Sequence, residues 1–453
     1  MNRRILRLAL PNIITNITVP LLGMVDTAIM GHLSPEGLGA IAIGAAIFNL
    51  IYWNFGFLRM GTSGITAQAY GARRWDLAVR TLVQAGAIAL AIALILIALQ
   101  WPISLLVPVI FEGSDEVLGM ALAYFRVRIW AAPATLGLYA IKGWFIGMQD
   151  SKTPMWIAIA LNCVNILFSL LFVLVFHWDI AGVALGTVVA QYSGLAMGIL
   201  FLRKKLRTEC GERSAASDEL STFNFQLSTL KAALRWADMR RFFRVNGDIF
   251  LRTVCLSAVF TFITAAGSHI GDEVLAVNNL LMQFFTLFSY IMDGFAYAGE
   301  SLVGRYIGAR EPRNLRSAVR LLLLWGLALT GVFTVAYAIG GDWFLRIFTD
   351  QQAVIDAAGR YLFWVLVIPV CGFAAFLFDG IFIGATASRT MRNAMFAATA
   401  AFFALYYGLK AAFSPLDTLA WNNILWIAFM AFLTLRGVLQ AIRLQKDIYS
   451  QAE

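Results

Sequence analysis

Long apolar runs, interrupted at regular intervals by short polar stretches, cover almost the whole chain. A run of roughly 20 apolar residues at helical rise reaches across a bilayer. Twelve such segments occur, at about 8–30, 38–60, 80–107, 117–146, 153–176, 180–202, 242–268, 275–304, 316–340, 355–385, 391–410 and 418–440. Their length predicts helices, because a helix closes its own backbone hydrogen bonds inside lipid within one segment. The longest polar stretch, 203–240, separates the sixth run from the seventh. In it Leu227, Leu230, Leu234 and Ala237 recur at helical spacing beside Lys231, Arg235 and Arg240. That pattern predicts an amphipathic helix lying at the membrane surface, although 208–222 reads equally well as a loop. The expected organisation is a first lobe at 1–205, a linker at 206–240 and a second lobe at 241–453.

The charges fix an orientation. One set of segment ends carries Arg3, Arg4 and Arg7, then Arg73, Arg74 and Arg80, Lys142 and Lys152, and Arg203, Lys204, Lys205 and Arg207. The series continues with Arg310, Arg313, Arg316 and Arg320, Arg389 and Arg392, and Arg443 and Lys446. The opposite ends carry Glu36, Glu112, Asp115, Glu116, Asp179, Asp272, Glu273, Asp342, Asp350 and Asp417, and only Arg346 and Lys410 break the pattern. Basic residues accumulate on the cytoplasmic side, so both termini are expected there, in agreement with an even number of spans. The N-terminus has a basic start but no convincing cleavage site, and it reads as a retained first helix.

Composition supports the same class. Of 453 residues, 60% are hydrophobic and 13% charged, against about 25% charged in soluble domains. Mean hydropathy is +0.75. The net charge of +9 lies in short loops and signals topology, so no nucleic-acid partner is expected. Four cysteines without a CxxC pair, and three scattered histidines, argue against disulfides and a metal site. No cofactor is expected. An intramembrane enzyme is disfavoured: HExxH is absent, Gly61–Gly64 does not complete a GxSxG motif, and Asp293 and Glu300 lie seven residues apart.

The chain also repeats itself. GAR at Gly71–Arg73 returns at Gly308–Arg310, and GWFIG at Gly143–Gly147 returns as GIFIG at Gly380–Gly384. SKT at Ser151–Thr153 returns as SRT at Ser388–Thr390, His32 falls on His269, and Tyr124 on Tyr361, all at a spacing of 237. Six spans separate equivalent positions, so both halves share one orientation. The expected fold is an all-α polytopic membrane protein of twelve transmembrane helices in two six-helix lobes. A pseudo-twofold axis along the membrane normal would relate them around a central cavity.

Several of these segments together are distinctive. Pro11 and Asp26 lie in the first span, followed by FGFLRMGTSGITAQAYGAR (55–73), GWFIGMQDSKTPM (143–155), NCVNI (162–166) and AGVALGTVVAQY (181–192). The second half contributes DGFAYAGESLVGRYIGAR (293–310) and FDGIFIGATASRTMRN (378–393). Across essentially its whole length the chain resembles the multidrug and toxic compound extrusion (MATE) family, specifically its DinF branch. The resemblance implies a V-shaped cavity and export of organic compounds, often hydrophobic or cationic, driven by H⁺ or Na⁺. It also implies an inner-membrane protein, taken here to act as a monomer.

A carboxylate at the centre of a span costs about 2.5–3.5 kcal/mol on insertion scales, so each needs a reason. From its neighbours alone, Asp26 reads equally as a proton carrier and as an acid satisfied by surrounding helices. The resemblance implies the coupling role. Burial disfavours the charged form of a carboxylate, which suits a group that loads and releases a proton. Pro11 and Pro20 precede it in the same helix and permit a bend. The family often carries a second aspartate four residues after the Asn of VNI. Here that position is Ser169, so a two-carboxylate relay is not expected, and Asn162, Asn165 and Ser169 become the expected partners of Asp26. Asp293, Glu300, Asp379 and Asn278 could form a polar site in the second half or a structural network. Asp248 and Arg252, four apart, are expected to pair, and Arg59 to snorkel. Arg126 and Arg128 receive no role. H⁺-coupled antiport by alternating access is the expected function. A flippase for a lipid-linked or amphiphilic substrate is the alternative, which would require basic residues inside the cavity.

Overall fold

A computed structural model describes residues 1–111, 113–214, 236–415 and 417–453. All regular elements among them are helical. The first half comprises α1 (Asn2–Gly31), α2 (Pro35–Asn54), α3 (Phe57–Gly71), α4 (Trp75–Ala98), α5 (Gln100–Ile110), α6 (Asp115–Arg128), α7 (Ala132–Gly147), α8 (Lys152–Leu170) and α9 (Asp179–Ser214). The second comprises α10 (Trp236–Ile270), α11 (Asp272–Gly308), α12 (Pro312–Phe348), α13 (Gln352–Gly359), α14 (Leu362–Gly384), α15 (Ser388–Ala412) and α16 (Thr418–Asp447). The amphipathic helix expected around 227–237 lies outside the described residues.

Eleven helical segments among the described residues are long and apolar enough to cross a membrane. The remaining expected span, 117–146, is interrupted. Helix α6 ends at Arg128, a single 3₁₀ turn covers Ile129–Ala131, and α7 begins with Pro133 in its first turn. The cause is local: Pro133 has no N–H to give the carbonyl of Ile129 and its ring crowds that carbonyl. The expected tenth span, 355–385, likewise divides, into α13 and α14. Helix α8 continues through a π-helical turn, Leu171–Val175, that begins two residues after Ser169. By contrast, α1 runs as continuous helix through Pro11 and Pro20.

The described chain forms two compact units. One comprises residues 14–70 and 74–244. The other comprises 1–13, 71–73 and 245–453, so the first thirteen residues, expected in the first lobe, belong with the second half. Inside that second unit Arg4 donates to the Tyr306 hydroxyl at 3.2 Å and Trp325 to Asn2 at 3.3 Å.

The internal repeat is a repeat of backbone geometry. In the first unit a methyl group on Gly143 would lie 2.3 Å from the Arg59 carbonyl oxygen; in the second, one on Gly380 would lie 2.1 Å from that of Ala296. Gly147 and Gly384 approach the Ser63 and Glu300 carbonyls in the same way. Left-handed residues recur as well, Arg73 and Arg310 at φ 57° and 53°, Gln149 and Thr386 at 62° and 54°. Each is followed by a residue whose N–H closes the preceding helix at 2.9 Å: Arg74 to Ala69, Glu311 to Tyr306, Asp150 to Phe145 and Ala387 to Phe382. Every one of these pairs keeps the 237-residue spacing. The close approaches carry a prediction. Gly→Ala inside a helix ordinarily stabilises by about 1 kcal/mol, whereas Gly143→Ala or Gly380→Ala must push two backbones apart. Both should lower the melting temperature of the purified protein by several degrees. Gly331→Ala, with open space around it, should not.

Candidate functional site

The first unit builds a polar cluster around Asp26, whose side chain is 1% exposed. Helix α9 comes close to α8 where Gly186 faces Ser169; a methyl group on Gly186 would lie 2.4 Å from the Ser169 hydroxyl oxygen. That approach delivers the next residue, Thr187, whose Oγ1 lies 3.1 Å from Asp26 Oδ2 and 3.3 Å from the Val183 carbonyl. The hydroxyl has one proton to donate between those two acceptors. Asn165 Nδ2 donates to Thr187 Oγ1 at 3.1 Å and to Ser169 Oγ at 3.4 Å. Asn165 and Ser169 also interact with the carboxyl group itself. Asn162 has a different task. Its Nδ2 donates to the backbone carbonyl of Thr18 at 2.9 Å, tying α8 to α1 two turns before Asp26.

Two buried atoms of this cluster lack partners: Asp26 Oδ1 and Asn165 Oδ1. Both are acceptors when Asp26 is ionised. An unpaired buried polar atom costs about 1–3 kcal/mol. A single added proton changes the balance, because a neutral acid O–H is a donor.

Arg128 also acts electrostatically on Asp26. It stands at the end of α6, just before the 3₁₀ turn. The guanidinium donates to the Tyr124 hydroxyl and lies over the Phe48 ring, 4.9 Å from its centre. Asp26 and Arg128 share no contact of ion-pair length among the described residues. Sequence reasoning missed Arg128 and Thr187. The first carried a signal, a charge inside an apolar span; Thr187 became legible only through the contact at Gly186.

The second unit treats its buried acids differently. Asp379 accepts from Arg252, from Arg436 Nη2 at 2.7 Å and from Gln440 Nε2 at 3.0 Å. Asp293 acts on Arg436 as well. The expected Asp248–Arg252 pair does not form. Asp248 instead pairs with Arg392 at 2.6 Å and accepts from Ser388 at 2.8 Å, and Arg252 turns to Asp379. Four-residue spacing brings two side chains onto one face of a helix, but partners on α14 and α15 offer contacts across the packed interior. Asn278 stands apart from this network. It donates to Asn422 at 2.9 Å and accepts from Trp426 at 2.8 Å, fifteen residues before Asp293 on α11, about 22 Å at helical rise. Glu300 is buried about two turns beyond Asp293, at the close approach of Gly384. No group of three or more His, Cys, Asp or Glu side chains suited to a metal occurs among the described residues.

The MatE family model matches residues 11–171 and 249–407. The two matched stretches correspond to the two halves of the repeat. The chain is 39% identical over 436 residues to DNA damage-inducible protein F of Escherichia coli (strain K12), covering 95% of this chain and 89% of that protein. Its fold is similar to the crystal structure of a MATE in the bent conformation, with a TM-score of 0.83, 18% identity and coverage of 100% of this chain and 97% of the other. An outward-facing multidrug resistance MATE transporter of the MOP superfamily gives the same TM-score and identity, with 99% and 96% covered. Duplicated six-span halves, a family model covering both and a close relative along nearly the full length lead to one assignment: the chain belongs to the multidrug and toxic compound extrusion family, in its DinF branch, and is a membrane transporter, not an enzyme.

Proposed function

We propose that this transporter exports organic compounds from the cytoplasm by H⁺-coupled antiport, with Asp26 carrying the proton. The observation that carries the reading is the pair of orphaned acceptors, Asp26 Oδ1 and Asn165 Oδ1, in a cluster buried inside the first unit. One proton turns an acceptor into a donor and relieves the mismatch. When it leaves, Thr187 can donate to the carboxylate. Two protonation states therefore favour two hydrogen-bond arrangements at the contact between α1, α8 and α9, and α1 is the helix with prolines at 11 and 20. Protonation from outside would favour a rearranged α1 and release of substrate; deprotonation towards the cytoplasm would reset it. Termini in the cytoplasm and a place in the cell's inner membrane complete the proposal, with the monomer as the working unit.

A proton suits the site better than Na⁺. Na⁺ needs a shell of several oxygens around it, whereas a proton needs one. Here Ser169 replaces a possible second carboxylate and the Arg128 cation stands nearby. The energy is adequate, since one charge crossing 100 mV supplies about 2.3 kcal/mol. The test is substrate-evoked pH change in proteoliposomes, with and without Na⁺. Proton movement on substrate addition, unchanged by Na⁺, is the expected result; transport that follows a Na⁺ gradient at constant pH would overturn it.

One observation favours a second reading, translocation of an amphiphile with an anionic head. Arg59, Arg128 and Lys142, all in span segments of the first unit, are the interior basic residues such a substrate would need.

A further inference from the structure

The basic start of α1 returns in α10. Arg3, Arg4, Ile5, Leu6 and Arg7 correspond to Arg240, Arg241, Phe242, Phe243 and Arg244 at the spacing of 237. Both arms are exchanged between the units. Residues 1–13 of α1 belong to the second unit and the rest of that helix to the first; residues 236–244 of α10 belong to the first unit and the rest to the second. The contacts are equivalent too. Ile5 is fully buried in the second unit, and Phe242 is 1% exposed in the first. Arg4 donates to the Tyr306 hydroxyl near the end of α11, and Arg241 donates to Gln68 near the end of α3 at 3.1 Å. Each of the two helices is thus anchored in both units. Motion of one unit against the other must bend such a helix or free its arm.

The two arms are not seated alike. On α1, Ile5, Leu8 and Ala9 are buried along one helix face. Gly294 brings α11 onto that arm: a methyl group there would lie 2.3 Å from Ile13 Cγ1 and 3.1 Å from the Ala9 carbonyl oxygen. The α10 arm has less to hold it. Within 239–244 Phe242 is the buried residue, while Arg240, Arg241, Phe243 and Arg244 are exposed. Its ring joins Ile65, Ala85 and Ala140 in a small apolar cluster. At the repeat spacing Gly294 corresponds to Phe57, so the approach that a missing side chain permits is not open to this arm. Undocking it uncovers little besides one ring, because its arginines are exposed already.

We propose that the α10 arm is a releasable strap: Phe242 leaves its cluster with Ile65, Ala85 and Ala140 during the transport cycle, while the α1 arm stays seated in the second unit. Movement of the second unit is then delivered to α1, the helix that carries Asp26. The proposal rests on alternating access in the reading above, but not on the ion that drives it.

The test measures distances between nitroxide spin labels on the full chain in phosphatidylcholine vesicles, with Cys163, Cys210, Cys255 and Cys371 replaced by Ser. Arg240→Cys with Arg74→Cys reports on the α10 arm. Arg3→Cys with Glu311→Cys, the same pair at the repeat spacing, reports on the α1 arm. All four positions are exposed. The first pair should show a short and a long distance, and the second pair a single one. Phe242→Ala should raise the ratio of long to short about tenfold or more, the order expected for losing a buried aromatic ring. Phe242→Leu, which keeps an apolar plug, should stay close to its parent. A single short distance for the first pair that persists in Phe242→Ala would overturn the proposal, as would two distances for the second pair. The distances are read without substrate or gradient. Absence of proton flux alongside both distances in the first pair would therefore sink H⁺ coupling and leave the strap standing.

Discussion

Replacing Asp26 with Asn abolishes substrate-evoked proton flux and lowers concentrative export at least tenfold, while the protein stays folded. The substitution is nearly isosteric. Its side-chain oxygen can still accept from Thr187, now 3.1 Å from Asp26 Oδ2, so the contact between α1 and α9 survives. What disappears is the ability to take up a proton. An amide also supplies permanently the donor that Asn165 Oδ1 lacks, so the variant should rest in the arrangement of the protonated state. Proteoliposomes loaded with a pH-sensitive dye measure the flux, and wild-type coupling in this variant would refute the role of Asp26. Arg128→Gln belongs in the same assay and should behave differently. The cation acts on Asp26 without touching it, so its removal should leave the hydrogen bonds of the carboxyl group in place. Coupling should persist, with a pH profile of transport that differs from that of the wild type.

Asp379→Asn produces the opposite profile: a large loss of stability. Asp379 accepts from two buried arginines and a glutamine that are carried by α10 and α16. Neutralising it leaves both guanidinium groups with reduced compensation in the span interior, and breaking a buried pair costs about 3–5 kcal/mol. Asp293 remains near Arg436 but makes a poor replacement for Arg252. The expected outcome is a drop of the melting temperature of purified protein by several degrees together with reduced expression. A melting temperature equal to that of the wild type would show that the network is not structural. Comparing Asp26→Asn with Asp379→Asn thus separates an acid kept for chemistry from one kept for packing.

The helical content and the repeat were legible in the sequence because both depend on signals that survive in single residues: apolar run length, and glycines with polar neighbours at constant spacing. The place where the fourth span breaks was also written there, in Pro133, but run length alone overlooked it. The site was legible in part. Asp26 stood out as a charge in an apolar run, and Asn165 and Ser169 are indeed beside it. Asn162 was assigned to the same carboxylate, yet it grips the Thr18 carbonyl instead, a distinction set by where each asparagine faces on α8. The pairing of Arg252 was misread because helical spacing describes neighbours on one helix, while Asp379 is 127 residues away along the chain.

The glycine contacts at 143 and 380 have a consequence for how the two halves came to differ. Where backbone rests on backbone, side chains elsewhere are released from the duty of holding helices together. At the repeat spacing Asp26 corresponds to Ile263, Arg128 to Val365 and Lys142 to Asp379. Each half could therefore acquire its own chemistry upon an inherited frame. A chimera in which both halves carried the second half's polar residues would keep the frame, and it would lack the cluster built around Asp26.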